Sequence, residues 1–174
     1  MSSPRKDSCS TVPLEDHVFV ALVKAADTLA MQAEQLLKGS GLSATQYNVL
    51  RILRGAEPSG LACRAIGERM ISRDPDITRL LDRMEKVGLI TRERQTDDRR
   101  VVKTRITAAG LAALKALDMP VREMHKQQFA QLSAAKLKTL ATVLSQLQAG
   151  LNQFTEKFSR ASSSVNLGSQ SKGD

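Results

Sequence analysis

The apolar positions of this 174-residue chain form long stripes towards its two ends and shorter ones between them. Val18, Leu22, Ala25, Leu29, Ala33 and Leu36 recur at steps of three and four, the repeat of one helix face. They predict a long helix from Leu14 to Lys38, ended by Gly39 and Gly41. Ser43 and Gln46 have the spacing of a capping box, with Leu42 and Tyr47 placed as its hydrophobic staple. The helix they open runs to about Arg54 and stops near Gly55 and Pro58. Leu61, Ala62, Ile66 and Met70 make the apolar side of a short helix. The next begins at Asp74 or Pro75, with Ile77, Leu80, Leu81, Met84 and Val87 facing a core and Gly88 ending it. Its outer side then carries Asp76, Thr78, Arg79, Asp82, Arg83 and Lys86, joined by Glu85.

The pattern changes after Gly88. Two β-prone arms, Leu89 to Arg94 and Val101 to Ile106, flank a charged tip that reads Gln95-Thr96-Asp97-Asp98-Arg99-Arg100. That is a hairpin with arginines at its turn, directly behind an amphipathic helix. Thr107 then caps another long helix, striped by Leu111, Leu114, Leu117, Val121, Met124 and Gln128, which Pro120 should kink or divide. Ser133 caps the last helix. There Leu137, Leu140, Leu144, Leu147, Leu151, Phe154 and Phe158 alternate three and four apart as a heptad seam. So small a chain has little left to cover that seam, and a homodimer packed through both terminal helices covers it more economically than a monomeric bundle does.

Charge sharpens the picture. The chain carries 26 Lys and Arg against 18 Asp and Glu, a net +8, which favours a polyanionic partner. Of its 15 arginines, ten fall between Leu61 and Gly110. Arg makes bidentate bonds to phosphate and to guanine edges that Lys cannot make. Aromatic residues are only 3% and Trp is absent, which argues against single-strand binding by base stacking. Cys9 and Cys63 suggest no disulfide framework and read as reduced thiols. No apolar run approaches a membrane span, and no signal-peptide core opens the chain, so a cytoplasmic location is expected. His17 and His125 are too few for a metal site, and no catalytic or phosphate-cradling arrangement points to an enzyme or a cofactor.

The order of elements resembles the MarR family (multiple antibiotic resistance regulators). Thr78 through Ile90 resembles that family's recognition helix running into its first wing strand. Asp98-Arg99-Arg100, followed by Ile106-Thr107 and Gly110, resembles its wing signature. The resemblance implies a mainly α fold with a small β-hairpin wing: a winged helix-turn-helix with long N- and C-terminal dimerisation helices. The expected layout is a disordered arm at 1–13, dimerisation helices at 14–42 and 107–158, the DNA-binding domain at 43–106, and a disordered tail at 159–174. The expected function is a ligand-responsive repressor that binds a pseudo-palindromic double-stranded DNA operator as a homodimer. Dimerisation falls to Val18, Leu22, Leu29, Leu137, Leu140, Leu144, Leu147, Leu151 and Phe154.

On that reading Thr78 and Arg79 meet base edges or nearby phosphates in the major groove, and Arg83 meets a phosphate. Arg100 enters the minor groove, oriented by Asp98, while Arg99 and Lys103 contact phosphates. The Arg73-Asp74-Pro75-Asp76 start departs from the family's usual Ser or Thr. Asp76 either complements the helix dipole, pairs with Arg73 or Arg79, or accepts from a cytosine. A small phenolic or anionic aromatic effector is expected between the dimer helices and the DNA-binding lobe, with Met31, Tyr47 and Met70 as candidate lining. The competing reading is an architectural DNA binder or a protein-interaction module with no specific operator.

Overall fold

The structure, a computed structural model, describes residues 12–71, 76–94 and 102–166. Helix α1 spans Leu14–Leu37. The chain reverses one step later than the sequence suggests: Gly39 lies inside a 3-10 turn, Lys38–Ser40, and Gly41 makes the turn at φ +74°, a backbone angle that costs glycine nothing. Helix α2, Ala44–Arg54, opens with both halves of the capping box. Ser43 Oγ accepts from the Gln46 N–H at 3.2 Å and Gln46 Oε1 accepts from the Ser43 N–H at 2.9 Å.

Leu61 and Ala62 do not start a helix. They form strand β1 (Leu61–Ala62), paired antiparallel to Thr104 and Lys103, and helix α3 is confined to Cys63–Arg69. A two-residue strand leaves no periodicity to read, and Gly60, at φ +64°, lies close against the Thr104 carbonyl. Helix α4 is Ile77–Lys86, with Asp76 as N-cap; Asp74 and Pro75, the expected start, lie outside the described residues. Leu80, Leu81 and Met84 are buried, but Val87 is exposed, because it sits beyond the last helical residue and no longer follows the helical repeat. Gly88, at φ +76°, closes the helix: its N–H bonds the Glu85 carbonyl and the Leu89 N–H bonds that of Met84, a Schellman cap.

Strands β2 (Ile90–Arg94) and β3 (Val102–Ile106) pair antiparallel, Ile90 opposite Ile106 and Arg94 opposite Val102. With β1 they form a three-stranded sheet of order β1-β3-β2. Helix α5, Ala108–Gln128, runs through Pro120 undivided. Leu114, Leu117 and Val121 line its inner side, while Leu111, expected there, is exposed. Helix α6 is Ala134–Asn166 and begins where Ser133 Oγ accepts from the Lys136 N–H. It runs past Phe158 into the segment expected to be a disordered tail, because Gly168 is the first helix breaker there.

The chain divides inside α5 into one compact unit up to His125 and another from Lys126 on. The buried core belongs to the first. Val49, Leu50 and Leu53 of α2, Ile66 of α3, Leu81 and Met84 of α4, Ile90 of β2 and Leu114 of α5 are all essentially inaccessible to solvent. One knot ties three elements together. Thr107 Oγ donates to the Gly88 carbonyl (2.7 Å) and accepts from the Gly110 N–H (3.0 Å), while its own N–H bonds the Leu89 carbonyl. The end of α4 is thereby fastened to the start of α5.

Candidate nucleic-acid interface

Helix α4 is amphipathic: Leu80, Leu81 and Met84 are buried and Thr78, Arg79 and Arg83 stand exposed. Asp76 holds its start. One carboxylate oxygen accepts the Arg79 N–H (3.3 Å) and the other pairs with Arg79 Nε (3.1 Å). Of the roles open to Asp76, the capping bond and the Arg79 pair are both present, and they offset its negative charge at the helix end. Lys103 is half-buried on β3, opposite Glu93. Arg73, Asp98, Arg99 and Arg100 lie outside the described residues. Cys63, a free half-buried thiol, starts α3 with its Sγ 4.0 Å from Thr78 Oγ1.

Arg92, which sequence reasoning passed over, stands at the junction of helix and hairpin. Its guanidinium reaches Glu85 Oε2 (Nε 2.8 Å, Nη2 2.6 Å) and Asp82 Oδ1 (2.5 Å), and its backbone N–H donates to Glu85 Oε1 at 3.0 Å. These bonds, Glu85 foremost, push the guanidinium pKa above its ordinary value. A signal was present: two residues after buried Ile90 on a strand, Arg92 shares the inward face. Glu85, expected on the exposed side, is half-buried by this contact.

A cavity of about 140 Å³ opens between the end of α1, α2, Ile71 and α5. Leu36, Tyr47, Asn48, Arg51, Met124 and His125 are among its lining residues. The Arg51 guanidinium lies 5.9 Å from the Tyr47 ring centre, within cation–π range. Burial pushes the Tyr47 phenol above its ordinary 10.0; Asp118 adds to that rise, and Arg51 and Arg54 oppose it. Asn48 Oδ1 accepts the Ile71 N–H at 3.0 Å, which ties Ile71, just after α3, to α2. Of Met31, Tyr47 and Met70, the residues expected to line an effector site, only Tyr47 is among the lining residues of this cavity. Met70 packs against the core, and Met31 points out from α1. His125 reaches Tyr47 only through the fold, whereas Arg51, four residues after Tyr47 on α2, carried a spacing signal that was passed over.

The expected dimerisation residues lie on two faces, each exposed in the single chain. On α1, Val18 is 52% accessible, Leu22 is exposed and Leu29 half-buried. On α6, Leu137 is half-buried, and Leu140, Leu144, Leu147, Leu151 and Phe154 are exposed. Among the described residues no helix is long and apolar enough to cross a membrane, and no three His, Cys, Asp or Glu side chains gather as a metal would require.

A helix-turn-helix closed by a three-stranded sheet, with a basic second helix exposed and a hairpin behind it, defines a winged-helix DNA-binding protein. The MarR family profile matches residues 42–102. The chain is 32% identical over 143 residues to the organic hydroperoxide resistance transcriptional regulator of Bacillus subtilis, covering 80% of this chain and 92% of that one. It is 38% identical to a MarR transcription factor from Planctomyces limnophilus of known crystal structure, with a TM-score of 0.59, over 78% of this chain and 98% of that one. The S. aureus MepR–DNA complex shares the fold at 21% identity, with a TM-score of 0.67 over 75% of this chain and 94% of that one. The chain belongs to the MarR family: it is a DNA-binding transcription regulator, not an enzyme, and acts on DNA as a dimer.

Proposed function

We propose that the homodimer represses transcription from a pseudo-palindromic operator, with Thr78 and Arg79 reading base edges from the major groove and Arg83 held to a phosphate. The carrying observation is that α4 buries one face completely and leaves Thr78, Arg79 and Arg83 exposed on the other. Arg100 enters the flanking minor groove with Asp98 orienting it, and Arg73, Arg99 and Lys103 take phosphates. Asp76 serves the helix rather than a base. Residues 43–106 form the DNA-binding domain, and 14–42 with 107–158 carry dimerisation through Val18, Leu22, Leu29 and the Leu137-to-Phe154 seam. The DNA target and the reduced thiol of Cys63 fit a cytoplasmic protein.

Selecting duplexes from a random pool with the wild-type dimer tests this reading. A bounded palindromic consensus supports it, and uniform coating supports the architectural alternative. On the selected duplex, Arg79→Ala should cost about 1–3 kcal/mol and relax specificity, and wild-type affinity should fall steeply with salt.

The effector site is the Tyr47 cavity. Its apolar walls and the Arg51 cation suit a single-ring aromatic anion, whose carboxylate pairs with Arg51 while the ring packs on Leu36 and Met124. The chain has one Tyr and no Trp, so intrinsic fluorescence reports this cavity alone. Benzoate should change that emission and release the duplex, and Arg51→Ala should abolish both responses.

A further inference from the structure

Helix α4 and the hairpin are joined by a short turn, Val87 to Leu89, and by one side-chain cluster. Arg92 makes three side-chain bonds and one backbone bond to Asp82 and Glu85. Glu85 divides its carboxylate between them: one oxygen holds the strand's backbone N–H and the other holds the guanidinium. The bond to the main chain locates the strand, and the planar fork fixes its rotation about that point. The Arg92 side chain is only 25% accessible, and those of Asp82 and Glu85 are 52% and 37%. Ion pairs this exposed contribute little to folding stability, so four bonds converging on one residue call for a different explanation.

Geometry supplies one. The hairpin tip lies beyond Arg94, and a strand advances roughly 3.3 Å per residue. Rotation at Arg92 is therefore magnified at the tip, while α4 stays fixed to the core. The cluster also offsets two carboxylates on the helix that enters the groove, where unpaired acids would repel phosphate.

We propose that Arg92 is a positioning residue. Clamped by Glu85 and Asp82, it sets the angle between the recognition helix and the wing, so that both grooves are engaged together. This rests on the reading that α4 and the wing tip both touch DNA. Arg92 acts through its carboxylate partners and not through a phosphate of its own.

The two possibilities predict opposite signs for one variant. Glu85→Gln removes a negative charge beside DNA and frees Arg92, so direct phosphate contact predicts tighter binding. Positioning predicts weaker binding. The probe is the duplex selected by the wild-type dimer, measured by titration and by two footprints: hydroxyl-radical cleavage for the flanking minor groove and methylation of guanine N7 for the major groove. Glu85→Gln and Arg92→Gln should each weaken binding, the latter about tenfold, and the double variant should be no weaker than Arg92→Gln alone. Flank protection should fade while guanine protection and the thermal midpoint persist. Arg92→Lys should restore flank protection in part. Tighter or unchanged binding by Glu85→Gln overturns the proposal, as does flank protection that survives in Arg92→Gln. A wild-type footprint with no flank protection overturns the wing reading, and this proposal with it. Should Arg92→Gln fail to fold, Glu85→Gln decides by its sign alone.

Discussion

Two regions of this chain are built from the same leucines and bury them differently. Between Leu42 and Val121, α2, α4, the sheet and the first half of α5 close over one another, and residues such as Leu50, Leu53 and Leu81 see no water. Along α6, among the described side chains, Leu137 alone is partly covered and the others are exposed. The first region carries its own hydrophobic stabilisation. The second has no such burial within the chain, and the proposed dimer is what would supply it, since an apolar seam left in water gains nothing from folding. The lobe is thus a unit of folding, while on the proposed dimer α6 gains its burial from the partner, and its stability should depend on protein concentration.

The strongest way to break this contrast is a charge in the seam. Leu144→Asp should dissociate the dimer, seen by sedimentation, and weaken operator binding by about a hundredfold or more, because the dimer would have to bury an unpaired carboxylate. The lobe should still unfold cooperatively. An unchanged dimer would move the interface off this stripe.

Glycines sharpen the comparison next. A Cβ at Gly110 would collide with the Leu89 carbonyl and the Ile106 side chain, so Gly110→Ala should destabilise by about 1–3 kcal/mol in urea unfolding. At Gly150 of α6 an added Cβ meets nothing within 4 Å. Gly150→Ala should raise helix stability by up to about 1 kcal/mol, read by thermal melting at fixed concentration. Loss of the dimer would instead place Gly150 at the interface.

The smallest effect belongs to Tyr47. Its folded-state phenol titrates above the ordinary 10.0, chiefly through burial. Below pH 10.0 both states hold the proton and nothing is lost. Between that value and the higher folded one the unfolded chain ionises first, so stability declines as pH rises. Absorbance of the phenolate follows this one group, since the chain has a single tyrosine.

Much of the fold was legible in the sequence where local chemistry decides it. The Ser43–Gln46 box, the Gly88 turn and the Thr107 and Ser133 caps each state their conformation within four residues, and all formed as read. Strand β1 was not legible, because two residues carry no period and their partners lie some forty positions away, at Lys103 and Thr104. Val87 was misplaced because the helical repeat was carried one residue past Lys86, onto the C-cap. At the candidate site, the exposed arginines of α4 followed from amphipathicity alone. The pairing of Arg51 with Tyr47 was legible too, since the two stand one turn apart on α2. The Arg92 cluster and the arrival of His125 beside Tyr47 depend on how elements meet, and spacing along the chain does not encode that.

Thr107 has one more consequence. Its hydroxyl caps α5 through the Gly110 amide while donating to the Gly88 carbonyl, and its own N–H holds the Leu89 carbonyl, so a hinge between α4 and α5 opens there only by breaking the Gly88 and Leu89 bonds. Helix α4, the proposed DNA-reading element, and the first turn of α5 are therefore coupled through a single residue. On the proposed function, a ligand that tilts α5 would be felt at the operator, and a bound operator would oppose the tilt by the same coupling free energy: the two occupants compete over a single mechanical coordinate.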